Sequence, residues 1–187
     1  MAFNINDFKA RGLQYGGARS SLFRIIMANP IDSSANAKLT YTARAAALPA
    51  SQLGQIEVPY FGRKIKIAGE RTFEPWTITV VNDEDFLVRN AMEKWSAAIN
   101  SHVGNVTSLT NGELASLEYK TDAEVEQYSK TGALIRRYTF KGIFPTNVSS
   151  IDLDWNTTDS LQEFSVEFQY DWWEVSSGQT GLTVDVG

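Results

Sequence analysis

A chain of 187 residues, 43% hydrophobic and 12% aromatic, is sized for one domain with a packed core, which excludes global disorder. It has no cysteine, and its single histidine is His102, which together exclude disulfide frameworks, thiol nucleophiles, thiolate metal sites and a zinc site built on several histidines of one chain. The formal net charge of −5, from 22 acids and 17 bases, runs against a protein that grips nucleic acid by neutralising phosphates.

Lys9 and Arg11 are followed by no apolar segment, so no leader is expected. No run of about 18 apolar residues exists that would span a membrane. Residues 1–20 read as an arm, with Gly12, Gly16 and Gly17 for freedom and Phe3, Ile5, Phe8 and Leu13 to bury on assembly. A first strand is predicted at 22–27, ending at the turn signal Asn29-Pro30, and a second at 39–46. Ile56 and Val58 suggest a short strand that Pro59 confines to an edge. Gly62 permits a turn, after which Ile65 and Ile67 alternate with Lys64 and Lys66 as in a half-buried strand. The β-branched run Trp76 to Val81 reads as another strand.

One helix is predicted over about 84–99. Asn82 or Asp83 would cap it, and Asp83, Glu84 and Asp85 would put negative charge in its first turn. Leu87, Val88, Ala91, Met92, Trp95 and Ile99 recur at spacings of three and four, an apolar stripe that needs a sheet to cover. After a loop near Asn111-Gly112, strands are predicted at 121–129, 133–143, 148–155 and 160–173. In the last, Phe164, Val166, Phe168, Tyr170 and Trp172 alternate with Glu163, Ser165, Glu167, Gln169 and Asp171. That pattern makes Trp172 a core residue and Trp173 an edge or interface aromatic. The reading is an arm at 1–20, a β domain at 21–175 and a polar tail at 176–187. The fold class is mainly β with one packed α-helix, a β-sandwich or barrel.

Chemistry is sparse. No G-x-S-x-G elbow occurs, and Gly16-Gly17-Ala18-Arg19-Ser20 lacks the lysine of a phosphate loop. His102 reads as a helix-end residue. Asp152 and Asp154 on one side of a strand, with Asp159 beyond, would bind calcium or cleave a glycoside if brought together. Arg63-Lys64-Ile65-Lys66 and Arg136-Arg137 suit acids on a neighbouring subunit. No catalytic residue, cofactor or metal is expected.

The ordered segments Ala47-Leu48-Pro49-Ala50, Val58-Pro59, Gly62-Arg63-Lys64-Ile65 and Ala68-Gly69-Glu70-Arg71-Thr72-Phe73 carry a resemblance. So do Trp76-Thr77-Ile78-Thr79-Val80, Asn82-Asp83-Glu84, Phe144-Pro145-Thr146-Asn147-Val148, Leu153-Asp154-Trp155 and Asp171-Trp172-Trp173-Glu174. Across residues 22–174 the chain resembles the tail tube proteins of contractile-tailed bacteriophages, which are related to the tube protein of type VI secretion. The resemblance implies a structural subunit of the virion tail, assembled in the host cytoplasm, and not an enzyme. It implies hexameric rings stacked into a hollow tube, with strands of all subunits joined into one continuous barrel. Implied partners are the tail sheath, the tape-measure protein in the lumen, baseplate hub or tube-initiator proteins and the tail terminator. DNA passes only in transit, and no membrane insertion of the subunit is implied. The competing reading is a carbohydrate-binding or glycoside-cleaving β-sandwich using Trp173 with Asp152 and Asp154.

Two surfaces are expected to matter in a tube. The segment 48–67 is expected to project along the axis and contact the next ring through Leu48, Pro49, Ile56, Val58, Pro59, Tyr60, Phe61 and Arg63. At least one of two acidic strand faces is expected to line the lumen: Asp122, Glu124 and Glu126, or Glu163, Glu167 and Asp171.

Overall fold

The computed structural model describes residues 17–104 and 119–176, together with Ile5 and Phe8. The N-terminal arm before residue 17, the Asn111-Gly112 loop and the tail beyond 176, for which expectations were stated above, lie outside the described residues. In chain order the elements are β1 (Phe23–Met27), a 3-10 turn (Ser33–Ala35), α1 (Asn36–Thr42), β2 (Ala43–Ala46), β3 (Gln52–Tyr60), β4 (Arg63–Thr72) and β5 (Trp76–Val81). There follow α2 (Leu87–Ile99), β6 (Thr121–Tyr128), β7 (Leu134–Val148), β8 (Glu163–Gln169) and β9 (Trp172–Ser176).

All the pairings are antiparallel, in the order β1-β6-β7-β8-β5-β2, with β9 added to β7 and β3-β4 standing apart as a two-stranded sheet. Strand β7 belongs to both halves of the sandwich. Its first part pairs with β6 and β9, and Phe144 to Val148 pair with β8. The changeover sits at Gly142, whose φ of +66° is the left-handed region. The register slips there, so that Thr121 faces Ile143 while Ala123 faces Phe140. One extra residue in β7 is a β-bulge, and it lets Phe140 and Ile143 both point into the core.

A Cβ on Gly142 would lie 2.2 Å from Oδ2 of Asp171, which is ion-paired to Lys120 at 2.8 Å. Gly142→Ala is therefore expected to cost ~1–2 kcal/mol from the left-handed backbone alone. The Asp171 side chain must also move. In a chain of this size that lowers the melting temperature by roughly 2–8 °C. A calorimetric scan identical to wild type would refute the reading of this corner.

The core is the space between the two halves. Ile25 and Met27 of β1, Val125 of β6 and Phe140 of β7 meet Ile78 and Val80 of β5 and Phe164, Val166 and Phe168 of β8. Helix α2 adds Val88, Ala91, Met92 and Trp95, all from the predicted stripe. Asn29, itself buried, fixes the chain leaving β1. Its Nδ2 donates to the Ala91 carbonyl of α2 at 3.1 Å, and its Oδ1 accepts from the Ile31 and Asp32 amides.

Several elements differ from expectation. Residues 39–42 are helical, because Asn36 opens a short helix in which the Thr40 and Thr42 hydroxyls donate back to the carbonyls of Asn36 and Lys38. Only Ala43–Ala46 of the predicted second strand is extended. Helix α2 begins three residues late. Asp83 and Asp85 instead form ion pairs with Lys38 of the first helix, and Phe86 takes a left-handed φ of 51° as the N-cap. The predicted strand 148–155 is absent, since β7 runs unbroken to Val148 and the residues after it are irregular. The predicted strand 160–173 is two strands broken at Tyr170-Asp171, where the Asp171 amide donates to the Lys141 carbonyl. That break reverses the two tryptophans: Trp172 is half exposed, while Trp173 packs on the core.

Candidate assembly surfaces

Strands β3 and β4 form a hairpin that is not half-buried. Every residue of β3 is exposed, and so is every residue of β4 except Gly69. The hairpin is therefore not folded back on its own domain. Nine residues of β3 span about 30 Å at the usual rise per residue. The turn is Phe61-Gly62, both at positive φ (41° and 82°), as a two-residue hairpin turn demands. Phe61 is 92% exposed at the tip, edge-on to Tyr60 at 4.7 Å.

The hairpin is two-faced. Register pairs Ile56 with Ile67 and Val58 with Ile65 on one side, and Glu57 with Lys66 and Pro59 with Lys64 on the other. All four of the first set are exposed large hydrophobics. An isolated two-stranded ribbon is marginal in water and invites pairing or burial. At its base Gly54 and Gly69 oppose each other so closely that a Cβ on Gly69 would meet the Gly54 backbone at 3.0 Å. The root is pinned by two indoles: Trp76 Nε1 donates to the Ala47 carbonyl at 2.8 Å, and Trp173 Nε1 to that of Ala50 at 3.2 Å.

Outside the hairpin, three strands keep a side free of any partner strand among the described residues: β1, β2 and β9. The outer faces of the two halves differ in charge. On β6, Glu126 sits directly between Arg24 of β1 and Arg137 of β7 in the register. It is only 1% exposed. It accepts from Arg24 Nη2 at 2.8 Å, from Arg137 Nε at 3.0 Å and from the Tyr128 hydroxyl. Burial pushes its pKa up, but the hydrogen bonds from Tyr128, Arg137 and Arg24 outweigh it and hold the carboxyl below its ordinary value. Glu124 also faces Arg137 at 3.4 Å, and Lys141 bridges Asp122 at 2.6 Å and Glu174 at 3.8 Å. This face is a lattice of alternating charge rather than the open acidic strip read from sequence. The cations come from the two strands that flank β6: Arg24 from β1, remote in the chain, and Arg137 and Lys141 from β7, the next strand.

On β8, Glu167 lies between Thr77 of β5 and Asn147 of β7, and Ser165 faces Thr79. Glu163 pairs with Arg44, while Glu167 has no cation partner among the described residues. Asp171 does not share this face, because the strand ends at Gln169 and Asp171 turns to Lys120. The structure does not bring Trp173 together with Asp152 and Asp154. Trp173 pairs with Phe140 in mid-β7, whereas both acids lie in the irregular segment after Val148. His102 is exposed in a turn after α2.

A β-sandwich with open edges, an uncovered amphipathic hairpin and polar outer faces defines a subunit of an assembly. The chain belongs to the phage tail tube protein family, whose description is "Phage tail tube protein" and whose model matches residues 13–176. It is a structural protein of the virion tail, not an enzyme. The tail tube protein gp19 of Enterobacteria phage T4 is 35% identical over 174 residues, covering 92% of this chain and 95% of that protein. The tail tube protein of Serratia phage KSP90 is 29% identical over 171 residues, 89% of this chain and 93% of that one. Among solved structures, the tube-terminating cap of the anti-feeding prophage superposes with a TM-score of 0.65 at 18% identity, over 95% of this chain and 100% of that chain. A chain of the sheath–tube complex of an extracellular contractile injection system gives 0.57 at 14%, over 94% and 99%. At these identities the two structures share the fold.

Proposed function

We propose that this subunit closes into hexameric rings that stack into the hollow inner tube of a contractile tail, through which the genome passes after release of the tape-measure protein. The sheath surrounds the tube, baseplate hub proteins template its first ring, and a terminator ends it. The observation that carries this reading is the hairpin, a ribbon about 30 Å long with an apolar face and no cover from its own domain. Leu48, Pro49, Ile56, Val58, Pro59, Tyr60, Phe61 and Arg63 supply the contact with the next ring. A weak contact repeated around a ring becomes strong through multivalency. The free sides of β1, β2 and β9 supply lateral contacts, which a closing rotation satisfies all round.

A wall past which DNA slides should not hold phosphate, and duplex DNA carries one charge per about 1.7 Å of axis. The β8 face suits that role. It is rich in hydroxyl and amide groups, and Glu167 is left with no cation beside it among the described residues. The residues of this face offered for the lumen are Glu163 and Glu167, with the neutralised Asp122, Glu124 and Glu126 face turned elsewhere.

The test is Val58→Glu with Ile65→Glu, which puts two acids side by side on the apolar face. Both positions lie on the hairpin outside the packed core, so the domain keeps its fold, and the directly opposed like charges cost the ribbon about 0.2–1 kcal/mol. Negative-stain microscopy is expected to show rings without long tubes. Tubes of normal length would overturn the stacking role of the hairpin.

A further inference from the structure

Strands β5 and β8 give the subunit two ends. Trp76 pairs with Phe168 at one end, and Val81 with Glu163 at the other, about 20 Å away along six residues. The hairpin belongs to the first end, since β4 runs into Trp76 through residues 73–75 and the Trp76 indole holds Ala47. The segment 149–162 and the turn 82–86 belong to the second. There the Asn82 amide donates to the Gln162 carbonyl at 2.8 Å, and Asn82 Nδ2 to Gln162 Oε1 at 3.1 Å.

The second end is apolar and acidic. Leu153, Leu161 and Phe86 are exposed, and Trp155 is 100% exposed. Phe86 and Leu161 face a cleft of about 360 Å³ whose rim includes Glu84. The segment 149–162 carries Asp152, Asp154 and Asp159 and no base. Glu84 and these three aspartates form no ion pair among the described residues. The hairpin is the complement: over residues 52–72 it has four bases, Arg63, Lys64, Lys66 and Arg71, against two acids, Glu57 and Glu70. Arg63 and Lys66 form no ion pair among the described residues either.

We propose that this cleft is the seat of the hairpin from a copy in the adjoining ring. Tyr60 and Phe61 enter between Phe86 and Leu161, and Arg63 and Lys66 meet Glu84 and Asp159. Leu153 and Trp155 extend the apolar seat. Two complementary patches at opposite ends of one subunit, with the hairpin standing off its own domain, meet only between copies set head to tail. Such a contact repeats without closing on itself, as a stack requires. The inference rests on the ring-stacking reading and adds its receiving surface.

A charge exchange tests it. Arg63→Glu with Lys66→Glu, and separately Glu84→Lys with Asp159→Lys, are each expected to shorten tubes by about tenfold or more, because every subunit of a ring loses its contact at once. The two sets combined are expected to restore long tubes. Normal tubes from either set alone, or no recovery in the combination, overturn the proposal. The lack of cysteine allows a direct second measurement. Tubes of Phe61→Cys with Leu161→Cys, treated with a short bismaleimide, should give a ladder of linked subunits that neither single variant gives. Stacked rings without that ladder overturn this seat and leave stacking intact. A wild-type protein that forms neither rings nor tubes overturns the stacking reading, and this inference with it.

Discussion

Glu126→Ala is expected to destabilise the subunit by ~1.5–3 kcal/mol, the usual worth of hydrogen bonds to a charged group, because the carboxylate is buried while Arg24 and Arg137 keep part of their side chains in solvent. The carboxylate is almost fully buried and receives hydrogen bonds from two guanidinium groups and a phenol. Without it, Arg24 loses its carboxylate partner and Arg137 keeps only Glu124. Those two side chains tie β1, β6 and β7 together, so the loss falls on the edge of the sandwich. In a chain of this size the melting temperature should drop by roughly 3–12 °C. Glu126→Gln keeps the shape and one acceptor and should lose less.

The pH dependence has a definite sign. The folded-state pKa of Glu126 lies below the ordinary glutamate value of 4.5, so its contribution is fully present above that value and is lost as pH falls through the folded pKa. Wild type should therefore lose stability below pH 4.5 more steeply than Glu126→Ala. Equal melting temperatures for wild type and the alanine variant at neutral pH would sink this account.

The parts of the fold that were legible in the sequence are those whose signal is local. The stripe Val88, Ala91, Met92 and Trp95 is written at helical spacing, and all four residues are buried. Phe164, Val166 and Phe168 alternate with polar residues, and all three are core. What was not legible depended on how separate strands and segments are brought together. The alternation of Ile65 and Ile67 with lysines is the pattern of a half-buried strand, and it correctly gives a two-faced ribbon. It says nothing of whether the apolar face is covered by the same chain. Asp122, Glu124 and Glu126 share a face as their spacing requires, but Arg24, Arg137 and Lys141 neutralise it from other strands. The bulge at Gly142 and the bend at Asp171 decided the fate of Trp172 and Trp173. A glycine and an aspartate in a strand are weak marks of either. The cleft between Phe86 and Leu161 joins residues far apart in sequence, and a stretch such as Leu153 to Leu161 reads as strand and loop until β7 is seen to take Phe144 to Val148.

Trp95→Ala should have a larger effect than Glu126→Ala, by a different cause. Trp95 is fully buried on the inner side of α2, with Phe168 at 6.3 Å between ring centres. Phe168 lies 5.8 Å from Trp76, which stacks on Phe140 at 4.5 Å, and Phe140 meets Tyr170 at 4.9 Å. The rings form a continuous chain from the helix through both halves of the sandwich. Trp95 Nε1 also donates to the Tyr119 carbonyl at 2.8 Å, tying the helix to the entry of β6. Truncating a buried Trp to Ala costs ~3–5 kcal/mol, because the transfer free energy is lost and a cavity remains. Trp95→Phe keeps a ring in the cavity and loses mainly the hydrogen bond, leaving a carbonyl unsatisfied at a cost of ~1–3 kcal/mol. Thermal or urea unfolding should therefore rank the proteins as wild type, then Phe, then Ala. The turn that bears Glu84 and Phe86 leads directly into the helix, so loosening it disturbs the acidic end as well as the core. Under conditions where the alanine variant is still folded, its tubes should be shorter than those of the phenylalanine variant. A variant ranking with Ala at or above Phe would show that the ring contributes little, and that α2 is held by its other contacts.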